Sequence, residues 1–275
     1  MVEKGYRPDI DGLRAVAVLC VVFYHAGYGA FSGGYVGVDV FFVISGFLIT
    51  RLIRDEISTG RFRFSTFYLR RARRLFPAMF VTLVLTFLGG VLLFGPDELE
   101  KLSESVVYTV LSVSNFLFWL QSGYFDAAAE TKPLLHTWSL GVEEQFYFVW
   151  PITLVGLTWW SRRVAARNPR HAGWIVPAFL IVAGVSSLAA TQYVLRIDAA
   201  AAFFLPIFRI AEFAIGALMV WAVAYRPSNS LLLEPLVPIG LVLIAWPVAL
   251  YSEETVFPGL AALPPCIGTA LLIYS

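Results

Sequence analysis

Apolar residues in this chain come in long blocks, and the polar residues between them cluster by sign of charge. Blocks of about 17 residues or more with few charges read as bilayer-spanning helices. The first runs from Leu13 to Phe31, and after a turn at Ser32, Gly33 and Gly34 a second covers Val36–Ile53. A third covers Ala78–Phe94. Others lie at Trp138–Trp160, Trp174–Leu195, Ala202–Tyr225, Leu231–Tyr251 and Pro258–Tyr274. Leu102–Leu120 is long enough to cross, yet it carries Ser103, Glu104, Ser105, Ser112, Ser114 and Asn115. The pattern predicts an all-α, polytopic membrane bundle of about eight transmembrane helices plus one partial or re-entrant segment.

Charge then orients the blocks. Eight arginines lie between Arg51 and Arg74 against Asp55 and Glu56, so the positive-inside rule puts this loop and the N-terminus in the cytoplasm. The third block exits into Asp97, Glu98, Glu100 and Glu104 on the far side. After Trp160 the segment SRRVAARNPRH has four arginines and no acid. It is cytoplasmic if Leu102–Leu120 dips in and returns or lies in the interface, and external if that segment crosses. The non-crossing form keeps the charge rule and is the expectation. The final LLIYS stops inside an apolar block without a polar tail, as in a chain cut before its natural end.

Composition excludes a soluble domain. Only 14% of the 275 residues are charged and 59% are hydrophobic, where soluble domains carry about 25% charged residues. The polar start MVEKGYRPDID is no cleavable signal, and the first block reads as an uncleaved anchor. Cys20 and Cys266 both sit in apolar blocks, where a thiol packs rather than reacts. No metal-ligand spacing, phosphate loop or dinucleotide fingerprint occurs, so no metal is expected. The net charge of +1 names no partner, and no nucleic acid is expected.

Candidate chemistry begins with DGLRAVAVLCVVFYH. Arg14 and His25 are eleven residues apart, which on a helix puts them on one face about 16 Å apart. That is roughly half the hydrocarbon thickness of a bilayer. Ionisable groups held at membrane depth are expensive and mark function, so His25 is the candidate base. A histidine hydrogen-bonded to a neighbouring helix is the plainer reading. In FYLRRARRLFPA, Arg71 and Arg74, or Arg70 and Arg73, are neighbours on a helix surface. Paired guanidinium groups suit phosphate, although charge count alone favours ordinary cytoplasmic anchoring. In HTWSLGVEEQFYFVWP, Ser139, Glu143 and Tyr147 fall on one helix stripe. They could orient a base, bind a sugar hydroxyl or knit helices together. Thr137 reads as a helix cap, and His136 is a second, interfacial candidate base. Asp39, Ser45 and the Arg209–Glu212 pair are smaller signals, the last spaced to neutralise itself.

RPDIDGLRAVAVLCVVFYH, GGYVGVDVFFVISGFLIT, FYLRRARRLFPA, LLHTWSLGVEEQFYFVWP and FRIAEFAIGA together resemble the acyltransferase-3 family of bacterial integral-membrane O-acyltransferases, from Arg7 to about residue 220. The resemblance implies one membrane acyltransferase domain over residues 1–275. Members usually have ten helices, so this chain would lack the last two. It also implies transfer of an acyl group, often acetyl, from cytoplasmic acyl-CoA to a hydroxyl of a cell-envelope glycan, a lipid-linked saccharide or another exported acceptor at the inner membrane. By position, Arg14 and His25 match the family's arginine–histidine motif, Arg71 and Arg74 its arginine pair, and Ser139, Glu143 and Tyr147 its polar stripe. On this reading Arg71, Arg74 and Arg14 hold CoA phosphates. His25 takes the acceptor proton, with Glu143 or Asp39 fixing its tautomer. A flippase for a lipid-linked sugar is the rival, since polar groups at mid-membrane suit transport too. The paired, broken repeats that transport favours are not visible.

Overall fold

The computed structural model describes residues 7–122, 132–166, 172–227, 231 and 233–275, and all its regular elements are helical. Among the described residues eleven α-helices follow in order: α1 Pro8–His25, α2 Gly37–Ser58, α3 Phe64–Leu93, α4 Pro96–Val110, α5 Ser114–Gln121, α6 Thr137–Ala165, α7 Ile175–Val194, α8 Ala199–Phe204, α9 Ile210–Ala222, α10 Leu236–Leu250 and α11 Leu263–Tyr274. Short 3-10 turns precede α2, α9 and α11. Among the described residues four stretches are long and apolar enough to cross a bilayer: Gly34–Ser58, Phe64–Leu93, Ile175–Val194 and Pro206–Tyr225. Apolar faces left outward, such as Leu85, Leu88 and Leu92 on α3, are what lipid contact calls for.

The chain folds as two compact units. The first comprises the residues up to Leu52, Gly156–Phe203 and Ile207–Ser275. Its core takes Leu13, Ala17 and Cys20 from α1, Val40, Val43 and Phe47 from α2, Val220 from α9, Ile244 and Val248 from α10, and Cys266 from α11. Glycines set two close approaches. A methyl on Gly46 would overlap the Phe213 carbonyl and one on Gly216 the Val43 carbonyl, so α2 and α9 cross backbone to backbone. A methyl on Gly240 would lie 2.8 Å from the Gly268 carbonyl, which brings α10 and α11 together in the same way.

The second unit comprises Ile53–Val155 with Phe204–Pro206. Met79 and Leu83 of α3 pack there with Leu102 of α4 and Leu134. The polar block Leu102–Leu120 is broken between α4 and α5, with Ser112 in the left-handed region at φ 57°. The 15 residues of α4 and 8 of α5 span about 22 Å and 12 Å, each short of the roughly 30 Å hydrocarbon core. The break is held from α6. Gln145 donates to the Ser112 carbonyl at 2.9 Å and to Asn115 Oδ1 at 2.7 Å, while Ser114 donates to the Thr137 carbonyl at 2.9 Å.

Three expectations need correction. Ala202–Tyr225 is not one span: α8 ends at Phe204, and Pro206, which lacks an N–H and disfavours helix at Leu205, opens a new turn before α9. The block expected from Leu231 becomes regular helix only at Leu236, after Pro235. Thr137 is no simple cap. Its hydroxyl lies 2.7 Å from the Leu134 carbonyl, 3.0 Å from Thr109 Oγ1 and 3.1 Å from Ser114 Oγ, joining it to the α4–α5 network. In the basic segment after Trp160, Arg167 and Arg170 lie outside the described residues.

Candidate active site

In the first unit two of the candidate residues, Arg14 and His25, lie on α1. Pro8 opens the helix, Asp9 and Asp11 favour its positive end, and Arg7 pins the start by bonding both Asp9 at 2.6 Å and the Ile273 carbonyl at 2.9 Å. That guanidinium holds the Asp9 carboxyl below the usual carboxylate range. Arg14 follows one turn on, 3.8 Å from Asp11 and 39% exposed. His25 is the last residue of the helix and is exposed. Its Nδ1 lies 2.8 Å from the Val21 carbonyl. A carbonyl can only accept, so Nδ1 carries a hydrogen, and in the neutral ring the lone pair is on Nε2. At Nδ1 the ring is held by a backbone oxygen one turn back.

Asp39 lies elsewhere in that unit's chemistry. Its Oδ1 and Glu212 Oε1 each accept from Arg209 Nη1 at 3.0 Å. The arginine and Asp39 side chains are wholly buried and Glu212 is 5% exposed. Arg209 Nε also donates to the Phe203 carbonyl at 3.1 Å. Phe42, Phe203 and Phe257 stand 5.2–5.8 Å from its guanidinium carbon. The Arg209–Glu212 pairing was legible from its spacing. Asp39 as the second carboxylate was not, being 170 residues away and joined through the α2–α9 crossing.

In the second unit Arg71 is the organised cation. Its Nε and Nη2 donate to Glu144 Oε1 at 2.9 Å and 2.7 Å, and its guanidinium carbon lies 3.2 Å from the centroid of the Tyr147 ring. Both charged side chains are largely buried, at 20% and 17% exposure. Tyr147 is buried beneath them. Arg74 is exposed, and Arg70 pairs with Glu56 at 2.6 Å. Ser139 spends its hydroxyl on the His136 carbonyl at 3.2 Å, while Glu143 is half-buried on the same stripe. The structure thus brings Arg71 to Tyr147, with Glu144 as the carboxylate beside them. Glu144 and Tyr147 are three residues apart and so are also helical neighbours, which is the signal that would have found it.

A family model described as an acyltransferase domain matches residues 7–275. A peptidoglycan O-acetyltransferase of Listeria monocytogenes is 38% identical over 170 residues, covering 61% of this chain and 26% of that protein. A putative O-acetyltransferase of Staphylococcus aureus is 39% identical over 156 residues, covering 56% of this chain and 26% of its own. A putative peptidoglycan O-acetyltransferase of Bacillus subtilis is 40% identical over 152 residues, 54% of this chain and 24% of that protein. The chain thus matches about a quarter of the length of these relatives. No solved structure matches it.

Proposed function

Because the chain belongs to the acyltransferase family whose model spans residues 7–275, we propose that it is an O-acyltransferase of the bacterial inner membrane. It moves an acyl group, most simply acetyl, from cytoplasmic acyl-CoA to a hydroxyl of a cell-envelope glycan. The observation that carries this reading is the His25 ring: exposed, with its proton committed to the Val21 carbonyl and the Nε2 lone pair left for a substrate. The names of the relatives support acetyl as the group and peptidoglycan as the kind of acceptor.

His25 Nε2 accepts the proton of the acceptor hydroxyl as that oxygen bonds to the thioester carbonyl carbon. The carbon–sulfur bond then breaks, and the imidazolium returns the proton to the departing CoA thiolate, so base and acid are one residue and no proton is gained or lost. No acyl-enzyme is invoked. Arg14, about three turns towards the expected cytoplasmic end of the same helix, contributes positive charge for the CoA phosphates. In the second unit Arg71 and Arg74 have the same role, and Arg71 arrives pre-oriented by Glu144 and by the ring of Tyr147. Ser139 and Glu143 orient substrate on the stripe that ends in Tyr147. The N-terminus and arginine-rich loop are cytoplasmic in this proposal, with the α4–α5 segment not crossing.

Acyl-CoA consumption by the purified full-length protein, assayed with a panel of envelope glycans, tests it. Release of free CoA that depends on one of those glycans is expected. Folded protein that consumes no acyl-CoA with any acceptor would count against it.

A further inference from the structure

Beside His25 the first unit builds a fixed aromatic surface, and building on the acyltransferase reading, we propose that this surface is the acceptor subsite, stacking a neutral pyranose ring next to the base. The His25 ring meets Tyr24 edge to face at 5.1 Å. Tyr24 meets Tyr35 in the same manner at 5.4 Å, and Tyr35 meets Phe257 at 4.9 Å. On the residue before Tyr24, Phe23 gathers a second cluster with Tyr28 at 5.4 Å and Phe31 at 4.8 Å. Tyr28 is 59% exposed, and Tyr24, Phe31, Tyr35 and Phe257 are half-buried, so ring area remains open.

The surface is also rigid. It is made by two segments that are bolted together: Gly33 N–H donates to the Val248 carbonyl at 3.0 Å, Ser32 Oγ to the Tyr251 carbonyl at 2.7 Å, and the Tyr35 hydroxyl to the Ser252 carbonyl at 3.2 Å. A Cβ at Gly33 would overlap the Pro247 carbonyl, so only glycine lets the segments close. An ordinary interfacial belt of tyrosines needs no such fastening. Preorganised rings lower the entropy lost when a ligand docks, and aromatic faces suit the C–H side of a sugar while tyrosine hydroxyls suit its edge.

Charge narrows the ligand. Glu253 and Glu254 are exposed on the same connection that supplies Phe257, directly after Ser252, whose carbonyl accepts the Tyr35 hydroxyl. Carboxylates at the rim repel an anionic acceptor such as a phosphodiester chain and leave neutral sugars unpenalised. Donor phosphates are turned away by the same charges, so acceptor and donor are kept apart by sign.

Saturation-transfer NMR tests this without the chemical step, using detergent-solubilised full-length protein and chitotetraose, a neutral oligosaccharide of N-acetylglucosamine. Irradiating the protein aromatic protons should transfer saturation to the sugar ring protons. Tyr28→Ala and Tyr24→Ala should each weaken binding about three- to tenfold, and Tyr24→Phe should keep most of it. Melting temperature of each variant separates lost binding from lost fold. Acylation assays should show the weakening in acceptor KM with acyl-CoA KM unchanged. Wild-type protein that transfers no saturation to the sugar, or folded tyrosine variants with unaltered acceptor binding, would overturn the subsite. Neither result touches the acyltransferase reading, which falls only if acyl-CoA is not consumed.

Discussion

Arg71 separates donor binding from chemistry at the level of single residues. If it holds a CoA phosphate, each charge-assisted contact contributes about 1.5–3 kcal/mol, so Arg71→Ala should weaken acyl-CoA binding by roughly ten- to a hundredfold. Lysine should restore only part of this, because a point charge loses both the fork and the stacking on Tyr147. Glu144→Gln keeps the shape but removes the charge that orients the fork, and should raise acyl-CoA KM more than it lowers kcat. Unchanged donor affinity in a folded Arg71→Ala protein would reduce the cluster to a cytoplasmic anchor. Arg209 has the opposite character. Removing it leaves the Asp39 and Glu212 carboxylates buried against each other, at a cost of about 3–5 kcal/mol. Arg209→Ala should therefore lose thermal stability in detergent well before any question of catalysis arises. A variant that melts like wild type would show that the ion cluster contributes little.

Among the elements, the α2–α9 crossing is the most sensitive joint, since it places Asp39 against Arg209. Gly216→Val inserts three carbons where even one meets the Val43 carbonyl, and neither backbone can yield without separating the helices. Loss of folded protein is expected, whereas Gly156, whose Cβ would meet nothing within 4 Å, should accept alanine. Thermal melts of the two variants check the contrast. Most of the elements were legible in the hydropathy pattern: α7 matches its predicted block within a residue at each end, whereas α3 matches only at its C-terminus and begins at Phe64, in the basic stretch ahead of the apolar block. The break at Ser112 was foreshadowed only by polarity. Its geometry depends on Gln145 and Asn115, which lie on different helices, and local sequence holds no record of that pairing. The same limit explains why spacing alone does not mark Glu144 as the partner of Arg71, nor the Val21 carbonyl as that of His25. Spacing identifies a helix face, but only packing decides which neighbour of two adjacent acids reaches across.

For the whole molecule, fold class and family followed from pattern and motif, and the proposed orientation rests on charge alone. In the proposed topology α4 and α5, each too short to cross, leave the basic segment after α6 on the same side as the Arg51–Arg74 loop. A cysteine at Arg163 should resist an impermeant thiol reagent in intact cells, and labelling from outside would reverse this topology. The central claim is that His25 supplies the proton transfer. The most direct measurement is acyl transfer by His25→Ala, verified as folded and inserted, over an acyl-CoA range that saturates the donor site. The account predicts transfer that stays abolished at saturating donor, because filling the site does not replace a missing base. Near wild-type transfer by that variant, or activity recovered by donor alone, would contradict it.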